Sequence, residues 1–357
     1  MITVQSVTCL DMPYHYSTEK IVEVADAMWL SRLDEKTRRF ALRLFQGANI
    51  KSRSSVVPID VVFADLSFQE KNDLYIEAMI SQGKLLLQKF FDEQKIDPKE
   101  IDFLITTSCT GFMIPSVDAY LVDHFGMRQD VLRLPVTEMG CAGGTSAMIY
   151  AHDFLQGRKT GKALLIALEF PGLTFQKGDL APENLVSTAI FADGAACVLL
   201  EKNAPPSKTP VLAIKAHRMY HFPNATHLMG FNLINSGLKI VLHKDVPEAI
   251  EHHFPKIIVP FLQQQNISME NIQAFLFHPG GKKIIAQAEN YLQQWGKDIP
   301  LSRKILSERG NMSSATVLHI LHEYWRNQKN KSVAGENALM LAFGPGFMAQ
   351  QLLLQWE

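Results

Sequence analysis

From the amino end, the order of apolar and polar positions predicts strands and helices in turn. An apolar run from Ile2 to Val7 predicts an opening strand, and Ser17 to about Gly47 predicts helices. Asp73 to Phe91 reads as one long amphipathic helix, with Leu74, Ala78, Met79, Leu85, Leu86 and Leu87 on its apolar face. A connector from Ile96 to Glu100 then leads into Ile101 to Ser108, a buried strand that ends in small polar residues. Further on, Leu-Pro-Val precedes Thr137-Glu138-Met139-Gly140-Cys141-Ala142-Gly143-Gly144, and helical spacing resumes at Met148, Ile149, Phe154 and Leu155. An extended segment that stops at Gly140 and a helix that starts beside Cys141 are the simplest reading of that stretch.

The pattern then repeats. Ile267 to His278 has the layout of the segment that begins at Ile96, 171 residues earlier, and it too follows an amphipathic helix, Ile257 to Gln264. Tyr120-Leu121 and Tyr291-Leu292 keep the same shift of 171, and Gly140-Cys141 is echoed 170 residues on by Gly310-Asn311. Each stretch ends in strands around a Gly turn, at Phe191-Ala192-Asp193-Gly194 and at Phe343-Gly344-Pro345-Gly346. Three successive matches at nearly one shift outweigh chance likeness and set the architecture. The expected fold is α/β, with mostly parallel sheets covered by helices, in two related halves, 1–210 carrying the cysteine and 211–357 carrying His278 and Asn311. A pseudo-twofold between them brings equivalent turns face to face.

Composition narrows the function. The 357 residues are 47 % hydrophobic and 20 % charged with a formal net charge of −1, an ordinary globular balance without the basic excess of a nucleic-acid binder. No apolar run reaches membrane-spanning length and no secretion signal opens the chain, so a cytoplasmic protein with no membrane partner is expected. The four cysteines (Cys9, Cys109, Cys141, Cys197) are scattered, without the close pairing of a zinc or redox motif.

The candidate chemistry lies at the repeat-equivalent turns. A thiol at a helix N-terminus meets unpaired N–H groups and the positive end of the dipole, which favours the thiolate. Cys141 is therefore read as a nucleophile, with His278 as its base and Asn311 as an orienting or oxyanion group. Singly, each has a plainer reading: a buried apolar cysteine, a core histidine, a helix N-cap. Together at matched turns they point to catalysis.

Gly140-Cys141-Ala142-Gly143-Gly144, His278-Pro279-Gly280-Gly281, Gly310-Asn311-Met312-Ser313-Ser314 and Phe343-Gly344-Pro345-Gly346 occur in the order seen in type III polyketide synthases. From about residue 40 to the end, the chain resembles this chalcone-synthase-like branch of the thiolase superfamily. The resemblance implies a five-layered αβαβα fold of two pseudo-twofold-related halves. It also implies a condensing acyltransferase that loads an acyl-CoA on Cys141 and extends it with malonyl-CoA by decarboxylative Claisen condensation. CoA thioesters are then substrates, and no metal or redox cofactor is expected. A carrier-protein-dependent ketoacyl synthase of the third class is the near alternative, and a Cys-His-Asn hydrolase or a non-catalytic binding protein are more distant ones.

The resemblance further implies roles around the site. Phe191 matches a gatekeeper between CoA tunnel and cavity, and Ile240 falls where plant enzymes have a second gatekeeping Phe. Thr174 and Ser313 match cavity-lining positions, and Phe231 replaces a small cavity glycine. Thr110, Gly281, Phe343 and Gly344 are expected beside the substrate, with Arg43, and secondarily Lys51 and Arg53, near the CoA phosphates. Ala342 stands where a glycine is usual. These departures imply one wider entrance, less room for elongation, and an alkylpyrone or alkylresorcinol-type product. The family's homodimer has a loop reaching the neighbour's cavity, here Thr110 to Pro115 with Ile114 at its tip.

Overall fold

The computed structural model describes residues 1–205 and 209–357. The chain opens with β1 (Ile2–Leu10) and β2 (Tyr14–Ser17), then α1 (Thr18–Met28), α2 (Glu35–Gly47), β3 (Ser52–Ser55), a short α3 (Ile59–Val62) and the long α4 (Phe68–Gln94). There follow β4 (Phe103–Thr107), α5 (Val117–Phe125), β5 (Leu132–Val136), α6 (Gly143–Gln156), β6 (Gly161–Glu169), α7 (Pro182–Ile190) and β7 (Gly194–Lys202). The second half runs through β8 (Leu212–His221), the hairpin β9 (Met229–Ile234) and β10 (Gly237–Leu242), α8 (Val246–Gln264), β11 (Ile272–Phe277) and α9 (Lys282–Leu292). It closes with α10 (Pro300–Arg309), α11 (Ser314–Gln328), β12 (Asn337–Gly344) and β13 (Met348–Trp356).

Local chemistry accounts for the helix ends. α4 starts in a capping box, where Ser67 Oγ accepts from the Glu70 N–H and the Glu70 carboxylate accepts from the Ser67 N–H at 2.8 Å. Asp34 and Ser17 cap α2 and α1 in the same sense. The buried stripe of α4 is Tyr75, Ala78, Met79, Gln82, Leu86, Leu87, Phe90 and Phe91. Leu85, expected on that face, is 55 % exposed, because the stripe turns past it between Gln82 and Leu86. α8 begins eleven residues before the expected Ile257, at Val246, and carries Pro255 and Pro260 inside it, residues that disguise a helix in sequence.

The nine-stranded order β11-β12-β13-β8-β1-β7-β6-β4-β5 is symmetric about its middle. Outward from the seam, β1-β7-β6-β4 on one side matches β8-β13-β12-β11 on the other, and β5 extends only the first. The seam is two residue pairs, Thr3 with Ala213 and Val4 with Leu212, so two sheets meet at one point. Parallel pairing holds for β4 with β5 and β6, and for β11 with β12. The other five adjacent pairs are antiparallel. The mostly parallel expectation is thus corrected: β13 returns beside β12 through the short 345–347 turn, and β7 returns antiparallel beside β6 after α7.

Helices complete five layers. α4 and α5 cover the outer face of the first sheet, and α8 and α9 cover that of the second. Between the sheets lie α6 and α11, packed on each other and on strands of both halves. Both are buried nearly all round, as a helix between two sheets must be. Small residues permit the approach: a side chain on Gly144 would meet Leu318 Cγ at 3.2 Å and Val317 Cγ1 at 3.3 Å. Leu318 is fully buried at this contact. Leu318→Ala should cost about 2–5 kcal/mol, read as a lower midpoint in urea unfolding; an unchanged midpoint would contradict this packing.

Candidate active site

The turn before α6 presents Cys141 from a short 3-10 segment, Gly140–Ala142. Gly140 has φ +49°, and a Cβ there would lie 2.5 Å from the Pro345 ring, so only glycine fits. The Gly344-Pro345-Gly346 loop thus packs directly on the nucleophile turn. His278 extends β11 by one residue, its N–H donating to the Leu341 carbonyl at 2.8 Å. Asn311 is laced to the segment after α7: its N–H donates to the Ile190 carbonyl and its carbonyl accepts from the Ala192 N–H, both at 2.9 Å. Phe191 bridges to it there.

These three side chains line one cavity, together with Cys109, Thr110, Thr174, Phe191, Phe231, Ile240, Ser313 and Phe343. Phe191, Thr174 and Ile240 also border a second cavity, so they stand between two chambers. Ile240 and Phe231 are register partners on the β9–β10 hairpin that roofs the site. Four expected residues lie outside the lining. Gly281 (φ +153°) sits one step beyond the lining Gly280 and opens α9, and Gly344 is turned against Met139 and Ala142. Arg43 is on the solvent side of α2, and Ile114 is 99 % exposed. Arg53 corrects an expectation: rather than offering a surface charge to phosphate, it is buried, and its Nη1 donates to the Thr188 carbonyl at 2.7 Å at the end of α7. Asp193 is structural in its contacts, accepting from the Gly172 and Val56 N–H groups at 2.8 and 2.9 Å.

The polar atoms are arranged for a visitor. Asn311 Oδ1 accepts from the Ser313 N–H at 2.9 Å and from Thr316 Oγ1 at 3.3 Å, which fixes the carboxamide and leaves Nδ2 as a donor with no partner among the described residues. Ser313 has φ +48°, an uncommon conformation for a side-chain-bearing residue, at the cap of α11. Both ring nitrogens of His278 are buried without a partner. Cys141 is part-exposed, and that exposure faces the cavity, deep in the protein.

Burial dominates the electrostatics. It pushes the Cys141 thiol up to about 12, against a hydrogen bond with Ser313, and pulls the His278 imidazole down to about 3. Burial thus opposes charge on both the thiol and the imidazole, a penalty that a reading of the helix terminus alone does not include. Glu169, which the sequence reading passed over, lies beneath them, fully buried. It accepts from Ser314 Oγ at 2.5 Å, the Cys109 N–H at 3.1 Å and Thr110 Oγ1 at 3.3 Å, and burial raises it to about 7. The signal was present: one acidic residue closes the apolar run Ala163 to Leu168. Burial, then Glu169, drives the Cys109 thiol, another lining residue, well above its usual range.

Two α/β halves around a central helix pair, with a cysteine, a histidine and an asparagine opening on one pocket, make a thiolase-like condensing enzyme. Residues 10–216 match the family model for FAE1/type III polyketide synthase-like proteins, and residues 214–356 match that for the C-terminal domain of chalcone and stilbene synthases. The chain belongs to the type III polyketide synthases. It is 30 % identical to a putative chalcone synthase of Bacillus subtilis over 96 % of both chains. It is 31 % identical to the 1,3,6,8-tetrahydroxynaphthalene synthase of Streptomyces peucetius, over 96 % of this chain and 90 % of that one. The crystal structure of the Streptomyces coelicolor 1,3,6,8-tetrahydroxynaphthalene synthase superposes with a TM-score of 0.90 at 26 % identity, covering 99 % of each chain.

In His278→Ala, alkylation of Cys141 by iodoacetamide at pH 7 should fall at least about tenfold, because no neighbouring base is left to take the thiol proton. An unchanged rate would remove His278 as the base.

Proposed function

We propose that the enzyme condenses an acyl-CoA starter with malonyl-CoA through an acyl group held on Cys141, and closes the chain to an alkylpyrone or alkylresorcinol-type product. The observation that carries this reading is the set of polar groups on one largely apolar cavity: a thiol, an imidazole with neither nitrogen held by the protein, and a carboxamide with its oxygen already held. His278 takes the Cys141 proton as the sulfur attacks the thioester carbonyl, then returns it to the departing CoA sulfur. Malonyl-CoA next loses CO₂, and the electron pair left behind becomes an enolate oxygen held by His278 and Asn311 Nδ2. Each such donor is worth about 10²–10³ in rate where charge develops. The enolate carbon attacks the Cys141 thioester, the sulfur leaves, and the chain is two carbons longer. The bulk of Phe231 on the roof, beside its register partner Ile240, favours few extensions, and Ile240 in place of a larger gatekeeper widens one entrance.

In this reading residues 1–210 supply the nucleophile and 211–357 the oxyanion donors. Phe191, Thr174, Ser313, Thr110 and Phe343 shape the channel and pocket, with Arg43 near the CoA phosphates. Gly281 and Gly344 hold the loops that carry His278 and Phe343. CoA thioesters are the substrates and no separate cofactor takes part. The active form is a homodimer, because Ile114 and Phe112 (99 % and 49 % exposed) leave an apolar loop for a second copy to cover. No helix among the described residues is long and apolar enough to cross a membrane, in keeping with cytoplasmic work on soluble thioesters.

Incubation of the wild type with a panel of short and long acyl-CoA starters should leave an acyl adduct visible in intact-protein mass spectra. Cys141→Ala should lose both adduct and product. An adduct that persists in the variant would exclude Cys141. Absence of product from acyl-CoA and malonyl-CoA without a carrier protein would overturn the CoA-only reading.

A further inference from the structure

Away from the catalytic cavity, three metal-capable side chains converge near the far end of the helix that begins behind Cys141. His152 and Asp153 lie on α6, and His217 lies on β8 of the other half. One coordinating atom from each falls within 4.8 Å of the others. His152 Nδ1 is 3.3 Å and His217 Nε2 is 2.7 Å from the same Asp153 oxygen, and the two rings stand edge to face with centroids 5.2 Å apart. His152 is buried, His217 half-buried and Asp153 exposed, so the cluster has a fixed floor and an open mouth.

We propose that His152, Asp153 and His217 form a zinc-class divalent-metal site that pins α6 to the sheet of the opposite half. Two imidazole nitrogens and a carboxylate are a donor set suited to zinc, with solvent completing the coordination. Bond lengths of about 2.0–2.2 Å set neighbouring ligand atoms about 3.4 Å apart in a tetrahedron. Of the two separations to the Asp153 oxygen, the 3.3 Å one already meets this and the 2.7 Å one needs to open by well under 1 Å, while the two ring nitrogens lie within 4.8 Å of each other.

The surroundings fit as well. His152 Nε2 lies 3.1 Å from Gln156 Nε2. Turning the Gln156 amide over brings its oxygen to the ring, which leaves the proton on His152 Nε2 and the Nδ1 lone pair for the metal, the outer partnership ligating histidines usually have. Lys202, whose Nζ is held by the Gln156 carbonyl at 2.7 Å, is a nearby positive charge, and the Asp153 carboxylate offsets it. In the metal-free chain the three groups already lie side by side, with His152 Nδ1 and His217 Nε2 both near the same Asp153 oxygen.

The experiment uses the full chain without a histidine tag. Zn(II) is titrated by calorimetry, Co(II) by its visible ligand-field bands, and Tm is recorded with and without Zn(II). The wild type should bind one ion saturably in the micromolar range and gain thermal stability. His217→Ala and Asp153→Asn should each weaken binding at least about 100-fold and abolish the Tm gain, and Gln156→Leu should weaken it about tenfold. Cys141→Ala should bind as the wild type does. Absence of saturable binding in the wild type would overturn the proposal. So would equal binding by wild type and His217→Ala, since the ion would then sit elsewhere, the cavity thiols included. Acyl loading of Cys141 is measured alongside, so that a failure of the metal site is told apart from a failure of the condensing role.

Discussion

The close packing of α6 on α11 is the constraint from which the rest follows. Each helix starts at a turn that carries a functional group, Cys141 before α6 and Asn311 before α11, and glycines at 143 and 144 let the two starts meet nearly backbone to backbone. Ser314 at the start of α11 also donates to the buried Glu169 from β6. The two halves are thus joined through the helices and the carboxylate under the site far more than through the sheet seam, which is two residue pairs long. His278 enters from a third direction, held by the parallel pairing of β11 with β12.

That arrangement costs solvation. The groups are buried, which disfavours the charged form of each taken singly. Burial also strengthens hydrogen bonds to any charge that develops there. A held carboxamide oxygen beside an unpaired Nδ2 is preorganisation in this sense, since no protein partner has to be given up when an enolate forms.

Much of this was legible in the chain. The internal shift of about 170 residues foretold two halves, and it placed Cys141 and Asn311 at matched turns. Parallel pairing was overestimated because a repeat reveals which segments correspond but not whether a return strand follows a crossover or a hairpin. α8 was shortened by its two prolines, and Leu85 was misplaced by assuming that consecutive leucines share a face. Glu169 and Arg53 were harder, since their meaning comes from partners 145 and 135 residues away. The burial penalty on the Cys141 thiol was hidden for the same reason: a helix terminus can be read locally, but desolvation is a property of the whole fold.

The account rests on sulfur, imidazole and carboxamide acting on one thioester. Its most direct test is the rate of CO₂ release from malonyl-CoA by Cys141→Ala compared with Cys141→Ala/Asn311→Ala. The single variant should still decarboxylate, and the double variant should be slower by about 10²–10³. Equal rates in the two would show that the carboxamide does not stabilise the enolate and would contradict the account.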